Sequence, residues 1–360
     1  MIFTTRRKRG TANRAGIVGL GVLLAACNTA STSPTEGLSS AGESAVPDAP
    51  LFSAVPSLRW EQVASMPIAL RGVAATSDAR YIYALGGATM NRGGGWVDLF
   101  QRYDPTTDTW AQLPPFDPPA RDFALAAALP DGIHLVGGSR EGGPGEPANV
   151  LIDDHQVFDR VSKTWSPRAP IPIALDAAVA HHVRGRLYVI GGGSPGQNIH
   201  GLVHIYDWRT DSWSTGTSMP TPRLTAASAV IDGQIHVVGG SVSRGSLTMV
   251  HQRYHPGRDS WEELAPLPVP KSGLGGGRII GGGPSGRHFC VFGGVEGILG
   301  FPGTVETFCY DPRTDRWTQG PDMLTPRGHP GFVGHRGAIY AIGGWTNVRT
   351  VTATVERLLR

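Results

Sequence analysis

Six residues recur ten or eleven positions after a tryptophan and just before a stretch of small residues: Arg71, Arg121, Asp176, Arg223, Lys271 and Arg327. Five are cations and one is a carboxylate. If equivalent positions converge in the fold, they form a funnel that favours an anion: a carboxylated sugar, an acidic peptide or a phosphate. Arginine suits that task because its planar fork binds a carboxylate through two parallel hydrogen bonds. The alternative is that these side chains bond carbonyls or carboxylates of neighbouring segments and hold the fold together. A second group, Arg92, Trp96, Arg140, Asn198, Glu296 and Trp345, lies in segments of irregular sequence. An exposed tryptophan beside arginine suits sugar or peptide contact. Its alternative is packing a glycine-rich loop against its own sheet.

The twelve histidines show no spacing of a zinc site. His181-His182 lie near a turn, and His251 and His255 flank Tyr254. His134 and His236 stand where other copies of a repeat carry tyrosine, which makes them core residues. No nucleophile elbow, phosphate loop or dinucleotide fingerprint occurs in the structural context it needs. No metal and no cofactor is expected.

The elements that must position these residues are repeated. Glycine pairs occur at 86–87, 137–138, 191–192, 239–240, 293–294 and 343–344, each after a short β-branched or aromatic run such as "YAIGG". Such runs read as buried strands. After five of the pairs comes an aromatic residue, with a tryptophan seven positions later: Tyr103 and Trp110, Phe158 and Trp165, Tyr206 and Trp213, Tyr254 and Trp261, Tyr310 and Trp317. The residues between them, such as "DPTTDT" and "DPRTDR", are turn formers.

This pattern resembles the kelch repeat over about residues 57–360. The resemblance implies an all-β fold, a β-propeller whose blades are four-stranded repeats of about 50 residues. Trp60 precedes every glycine pair, yet lies 26 residues before Gly86, the spacing that also separates Trp165 from Gly191 and Trp317 from Gly343. The last unit lacks a tryptophan strand of its own. A six-bladed ring follows, closed by an N-terminal outer strand around Leu58–Val63. Trp261 and Gly293 are 32 residues apart, so "GLGGGRIIGGG" (273–283) reads as an insertion. In kelch proteins a cation at the start of a blade, as in "PKSGL", often stands at the ligand face. Copper radical oxidases can share the fold, but their two His, two Tyr and linked Cys are not matched.

Residues 1–26 carry a basic head and a twelve-residue apolar run, ending in Leu24-Ala25-Ala26-Cys27. This resembles the lipobox of bacterial lipoproteins, in which Cys27 is lipidated after cleavage; the alternative is an ordinary signal peptide. Loss of the five leader cations takes the formal charge from +3 to −2, which leaves no electrostatic case for nucleic acid. Residues 27–56 read as a flexible Ser/Thr/Pro/Gly tether. Cys290 and Cys309 fall on neighbouring strands, either as a disulfide or as two buried thiols.

The expected protein is a monomer, lipid-anchored at the cell envelope outside the cytoplasm. Its loop face and channel mouth would bind an unknown protein or an anionic glycan or peptide. The alternative is a carbohydrate-active enzyme resembling N-acetylneuraminate epimerases, with Glu296 or Asp176 as acid–base and no catalytic residue assigned with certainty.

Overall fold

The computed structural model describes residues 58–89, 95–243, 245–280, 287–297, 302–347 and 350–360, without the side chain of Gln197. The leader, the tether, Cys27 and Arg92 lie outside the described residues.

Among the described residues, six four-stranded antiparallel sheets follow one another as blades of a propeller. The first runs from an inner strand, Ala74–Ser77, through Ile82–Leu85 and Phe100–Asp104 to an outer strand, Thr109–Leu113. The inner strands of the others are Leu125–Leu129, Val179–Val183, Ala227–Ile231, Ser272–Ile280 and Gly331–His335. The sixth blade takes its outer strand from the opposite end of the chain. Arg59–Val63 pairs antiparallel with Val355–Leu359, in register from Arg59–Leu359 to Val63–Val355. The closure expected from the Trp60 spacing is thus observed.

Apolar side chains fill the spaces between adjacent blades. Tyr83, Leu85 and Phe100 of the first blade pack on Ile133, Leu135 and Phe158 of the second. The repeated aromatic couple has a polar purpose as well. Tyr103 and Trp110 face each other across their hairpin. Tyr103 donates to Asp108 Oδ1 (2.6 Å), which also accepts the Ala64 N–H (2.8 Å). Trp110 Nε1 donates to the Ala64 carbonyl (2.8 Å). This couple therefore grips the preceding outer strand, whereas Phe158 and Trp165, without the hydroxyl and the aspartate, reach it through Trp165 Nε1 to the Pro114 carbonyl (3.2 Å). The same stitch recurs with Tyr206, Asp211 and Trp213 on Ala169, and with Tyr310, Asp315 and Trp317 on Ala265. A requirement of this kind demands the same residues at the same spacing, and explains why the sequence repeats them.

The glycine pairs have a steric reason. Gly343 and Gly344 hold φ of 60° and 98°, and a Cβ on Gly343 would come within 2.2 Å of the Leu70 carbonyl of the next blade. The second glycine donates its N–H to that carbonyl (2.8 Å).

The segment 273–283 is only in part an insertion. Its first eight residues belong to the inner strand Ser272–Ile280, and the extra length goes into a hairpin whose two strands have nine residues each. Gly275 is glycine because a Cβ there would meet the Phe292 ring at 2.1 Å. Cys290 and Cys309 are cross-strand partners joined by a disulfide. Most of the variable loops after the glycine pairs fold into small hairpins, such as Ser139–Glu141 with Asn149–Leu151 and Trp345–Asn347 with Thr350–Val351.

Candidate functional site

Each inner strand is entered through a residue with positive φ: Gly72, Phe123, Ala177, Thr225, Gly273 and His329, all between 49° and 61°. Their backbones bond to one another in a circle. Phe123 donates to Gly72 (2.9 Å), Ala177 to Phe123 (3.1 Å), Thr225 to Ala177 (2.8 Å), Gly273 to Thr225 (2.9 Å) and His329 to Gly273 (2.9 Å). Gly72 donates to His329 (3.3 Å) and completes the ring. A non-glycine residue in this region costs on the order of 1–2 kcal/mol, and Thr225 is β-branched besides. Strain of this type persists where the surroundings enforce it, and it gathers at ligand-binding positions.

The ring sorts the candidate residues into two layers. One residue before it stand Arg71, Asp122, Asp176, Leu224, Ser272 and Gly328; two before it stand Leu70, Arg121, Leu175, Arg223, Lys271 and Arg327. The six positions read from the sequence mix these layers, because an offset of eleven from the tryptophan reaches the upper layer at Arg71 and Asp176 and an offset of ten the deeper one; Arg121, at eleven, is deep because its connection is one residue longer.

The deeper layer does not face solvent. Arg121, Arg223, Lys271 and Arg327 are at most 1% exposed. Arg121 Nη2 pairs with Asp154 (2.6 Å), and Lys271 Nζ with Glu306 (2.6 Å). Arg327 Nη2 meets Glu356 at 2.5 Å, both side chains fully buried, while its Nη1 donates to the carbonyls of Gly343 (3.0 Å) and Thr354 (2.9 Å). Among the described residues Arg223 bonds only neutral oxygens, including Val250 O (2.5 Å) and Gln252 Oε1 (2.6 Å), and burial pushes its guanidinium down to about 10. These four cations hold their own blades, so the expected cationic funnel is corrected to a buried scaffold. Arg327→Met is expected to cost about 3–5 kcal/mol in urea unfolding, because it strands a buried carboxylate. Replacing both partners, as Arg327→Met with Glu356→Leu, should recover most of the loss.

The upper layer is the polar mouth. Arg71 Nη1 lies 2.5 Å from Asp122 Oδ2. Asp122 Oδ1 accepts from Ser139 Oγ (2.6 Å) and from Trp96 Nε1 (2.9 Å). Arg71 lies over the Phe123 ring (5.4 Å), and Phe123 meets His329 edge-on (5.3 Å). Asp176 occupies the place of Asp122 in the next blade. Its facing residue is Gly193, where Asp122 faces Ser139. The serine hydroxyl that satisfies Asp122 thus has no counterpart, and among the described residues no side chain donates to the Asp176 carboxyl. Burial, and then the nearby Asp122 carboxylate, push that carboxyl up to about 7. With one cation, Arg71, against the two carboxyl groups Asp122 and Asp176 among the described residues of this layer, the mouth suits a hydroxyl or ammonium donor better than an anion.

The remaining candidates are dispersed. Trp96 is half-buried and belongs to the mouth through Asp122. Trp345, expected as an exposed contact, is 1% exposed and stacks on His329 (4.4 Å). It fills the space that Gly328, its facing residue, leaves open. Arg140 forms a bidentate pair with Glu146 (2.8 and 3.0 Å). Asn198 bonds the Pro195 carbonyl (3.0 Å), and Glu296 is an exposed carboxylate 3.4 Å from Lys271 Nζ. Asp122, Ser139, Phe123 and His329 were not singled out in the sequence. The signal for them was the dipeptide Arg121-Asp122, whose offset places the acid, not the arginine, at the mouth.

His134 and His236 are core residues that bond a second histidine on the adjacent strand, His155 (2.8 Å) and His251 (3.0 Å). No group of three His, Cys, Asp or Glu side chains among the described residues has the arrangement of a metal site.

Blade count, repeat and closure together define the fold as a six-bladed β-propeller of kelch type. Two segments, 69–116 and 177–220, match the Kelch motif model. Beta-scruin of Limulus polyphemus is 31% identical over 39% of this chain and 16% of its own length. Kelch-like protein 35 of Mus musculus is 30% identical over 37% of this chain and 21% of its own length. The chain thus spans less than a quarter of the length of these relatives. The solved structure of YjhT superposes with a TM-score of 0.71 at 15% identity, over 81% of this chain and 96% of that one. At that identity the likeness speaks to the fold.

Proposed function

We propose that this chain is a binding module that takes a protein segment or a glycan on the face where the strained ring and the variable loops meet. The observation that carries this reading is Asp176: a partly buried carboxyl at the mouth to which no side chain among the described residues donates. A ligand hydroxyl or amine would supply the missing donor, and Trp96, bonded to the neighbouring Asp122, offers an aromatic surface at the same mouth. The anionic ligand expected from the sequence is replaced by a donor-bearing one, because the cations that called for an anion are buried.

The module is placed at the cell envelope, held by a lipid on Cys27 at the end of the 27–56 tether. The apolar run before Leu24-Ala25-Ala26-Cys27 supports this placement. Incorporation of a palmitate analogue that is lost in Cys27→Ala is the expected result, and equal labelling of both chains would remove the anchor from the reading.

Asp176→Asn tests the site. On a glycan array or by ligand-observed NMR, the variant should bind about tenfold or more weakly, since a hydrogen bond to a charged group contributes roughly 1.5–3 kcal/mol. Wild-type binding should weaken as the pH falls through 7 and the carboxylate gains its proton. Unchanged binding in the variant would move the site elsewhere. A second reading, an enzyme that interconverts sugar anomers, is favoured by the same group, because a carboxyl poised near 7 can both give and take a proton. Mutarotation of N-acetylneuraminate or of a neutral hexose above background, absent in Asp176→Asn, would establish it.

A further inference from the structure

The axis of the propeller holds a cavity of about 460 Å³ lined by the inner strands. The hydrogen-bonded ring lies at one end of those strands, and none of its six residues lines the cavity. The other end is set by the turns that join inner strands to their neighbours, on the face opposite to the variable loops. Alanine and glycine dominate the wall, which is why there is room at all.

The charged groups of this wall are all of one sign. Arg278 and Arg336 line it together with His181, His182 and His335, and no Asp or Glu is among the lining residues. Arg336 donates to the Ala79 carbonyl (2.9 Å), and His181 Nε2 bonds Ser228 Oγ (2.8 Å). Arg278 is only partly exposed, yet among the described residues no hydrogen bond or ion pair reaches its guanidinium. The acid at the end of the first inner strand, Asp78, is already committed: it accepts from Tyr83 Oη and from the N–H groups of Arg80 and Tyr81, each at 2.8 Å, and Arg160 lies 3.7 Å away. A guanidinium presents five donors in a fixed plane. One held inside a cavity, with a second guanidinium and no carboxylate among the lining residues, has donors that the described residues do not use.

We propose that the axial cavity binds a small oxyanion, a carboxylate or phosphate on a compact polar molecule, with Arg278 as its anchoring cation. The site lies on the face opposite to Asp176 and is independent of the function assigned there. The anion chemistry that the sequence suggested for the loop face is offered instead at the other end of the axis. Arg278 comes from the blade with the lengthened hairpin, so this cation is a property of one repeat and not of the common pattern.

The test is isothermal titration of the full chain with inorganic phosphate in one arm and malonate in the other, at constant ionic strength with chloride. Saturable binding in at least one arm is expected, and the stronger arm identifies the anion type. Arg278→Gln should weaken it at least tenfold, Arg278→Lys by no more than about threefold, and Asp176→Asn not at all. As a readout independent of any variant, histidine ring NMR signals of His182 and His335 should shift with the same affinity in the wild type. Absence of saturable binding in both arms, equal binding by Arg278→Gln, or histidine signals that do not move would each overturn the proposal.

Discussion

Lowering the pH from 7 towards 4 is expected to unfold the propeller cooperatively, with a midpoint between about pH 4 and 5.5. Four histidines, His155, His236, His251 and His329, are buried without charge, and a fifth, His181, is half-buried. Burial pushes His181 down to about 4 and His251 to about 3. Burial takes His155 to about 3 and His236 to about 2, each beside a neighbouring histidine ring, and burial with the nearby Arg71 takes His329 to about 3. In the unfolded chain each would titrate near 6.5. Between those values the unfolded state holds protons that the folded state refuses. Stability is therefore complete above about 6.5 and falls as the pH drops, by up to about 1.4 kcal/mol per pH unit for each histidine. Five such groups over two units remove up to about 14 kcal/mol, which covers most of the typical stability range of about 5–15 kcal/mol. Asp176 opposes the trend, since its raised value favours the folded state in acid, but it is one group. Tryptophan fluorescence and circular dichroism against pH would follow the transition. His236→Phe with His251→Phe should flatten its slope by about two protons. A chain still folded at pH 3.5 would contradict the account.

The second large effect is expected at the closure. Trp60→Ala should cost about 3–5 kcal/mol in chemical unfolding, the range for removing a buried large aromatic side chain. Trp60 is 6% exposed and meets Phe292 edge-on at 4.9 Å. Its Nε1 donates to Thr307 Oγ1 (3.0 Å) and to the Pro321 carbonyl (3.1 Å), so truncation leaves two acceptors without their donor. The strand itself is held by backbone pairing and by bonds from Arg357 to Glu61. Trp165→Ala is the comparison. That indole is more exposed and its bond to Pro114 is longer, at 3.2 Å. If the two variants lose equal stability, closure does not depend on Trp60. Deleting residues 58–63 should go further and leave the Val355–Leu359 edge open to pairing between molecules, visible as association in light scattering.

The fold was legible because its joints are chemical and periodic. Every Tyr–Asp–Trp stitch needs three particular side chains, and each glycine pair lies where a Cβ would strike a carbonyl. Trp60 at 26 residues from Gly86 could be assigned to the last blade on that ground alone. The site was less legible because it turns on a slip of one residue. Arg121 and Asp122 are adjacent, yet the first is buried beneath the second, and counting from Trp110 selects the wrong one. Trp345 was misleading for a related reason. Its place is decided by Gly328 opposite, a pairing that sequence spacing does not display. Arg278 was hidden within a glycine-rich stretch whose extra length drew attention away from the one charged residue in its strand.

The ring of six backbone bonds has a consequence for ancestry. A row of repeats that stacks in the open can gain or lose a unit at its ends and change in small steps. Here each entry residue gives its N–H to one neighbour and its carbonyl to the other, all in the same sense, and Gly72 returns the chain of bonds to His329. A seventh unit would have to break that circle and re-form it at a wider radius, and loss of one of the six would have to close the circle again without leaving a gap. Duplication and loss of whole repeats are thus all-or-none events for this architecture. Variation is channelled instead into loop length and composition, as in the lengthened hairpin of the fifth blade and the small hairpins that follow the glycine pairs.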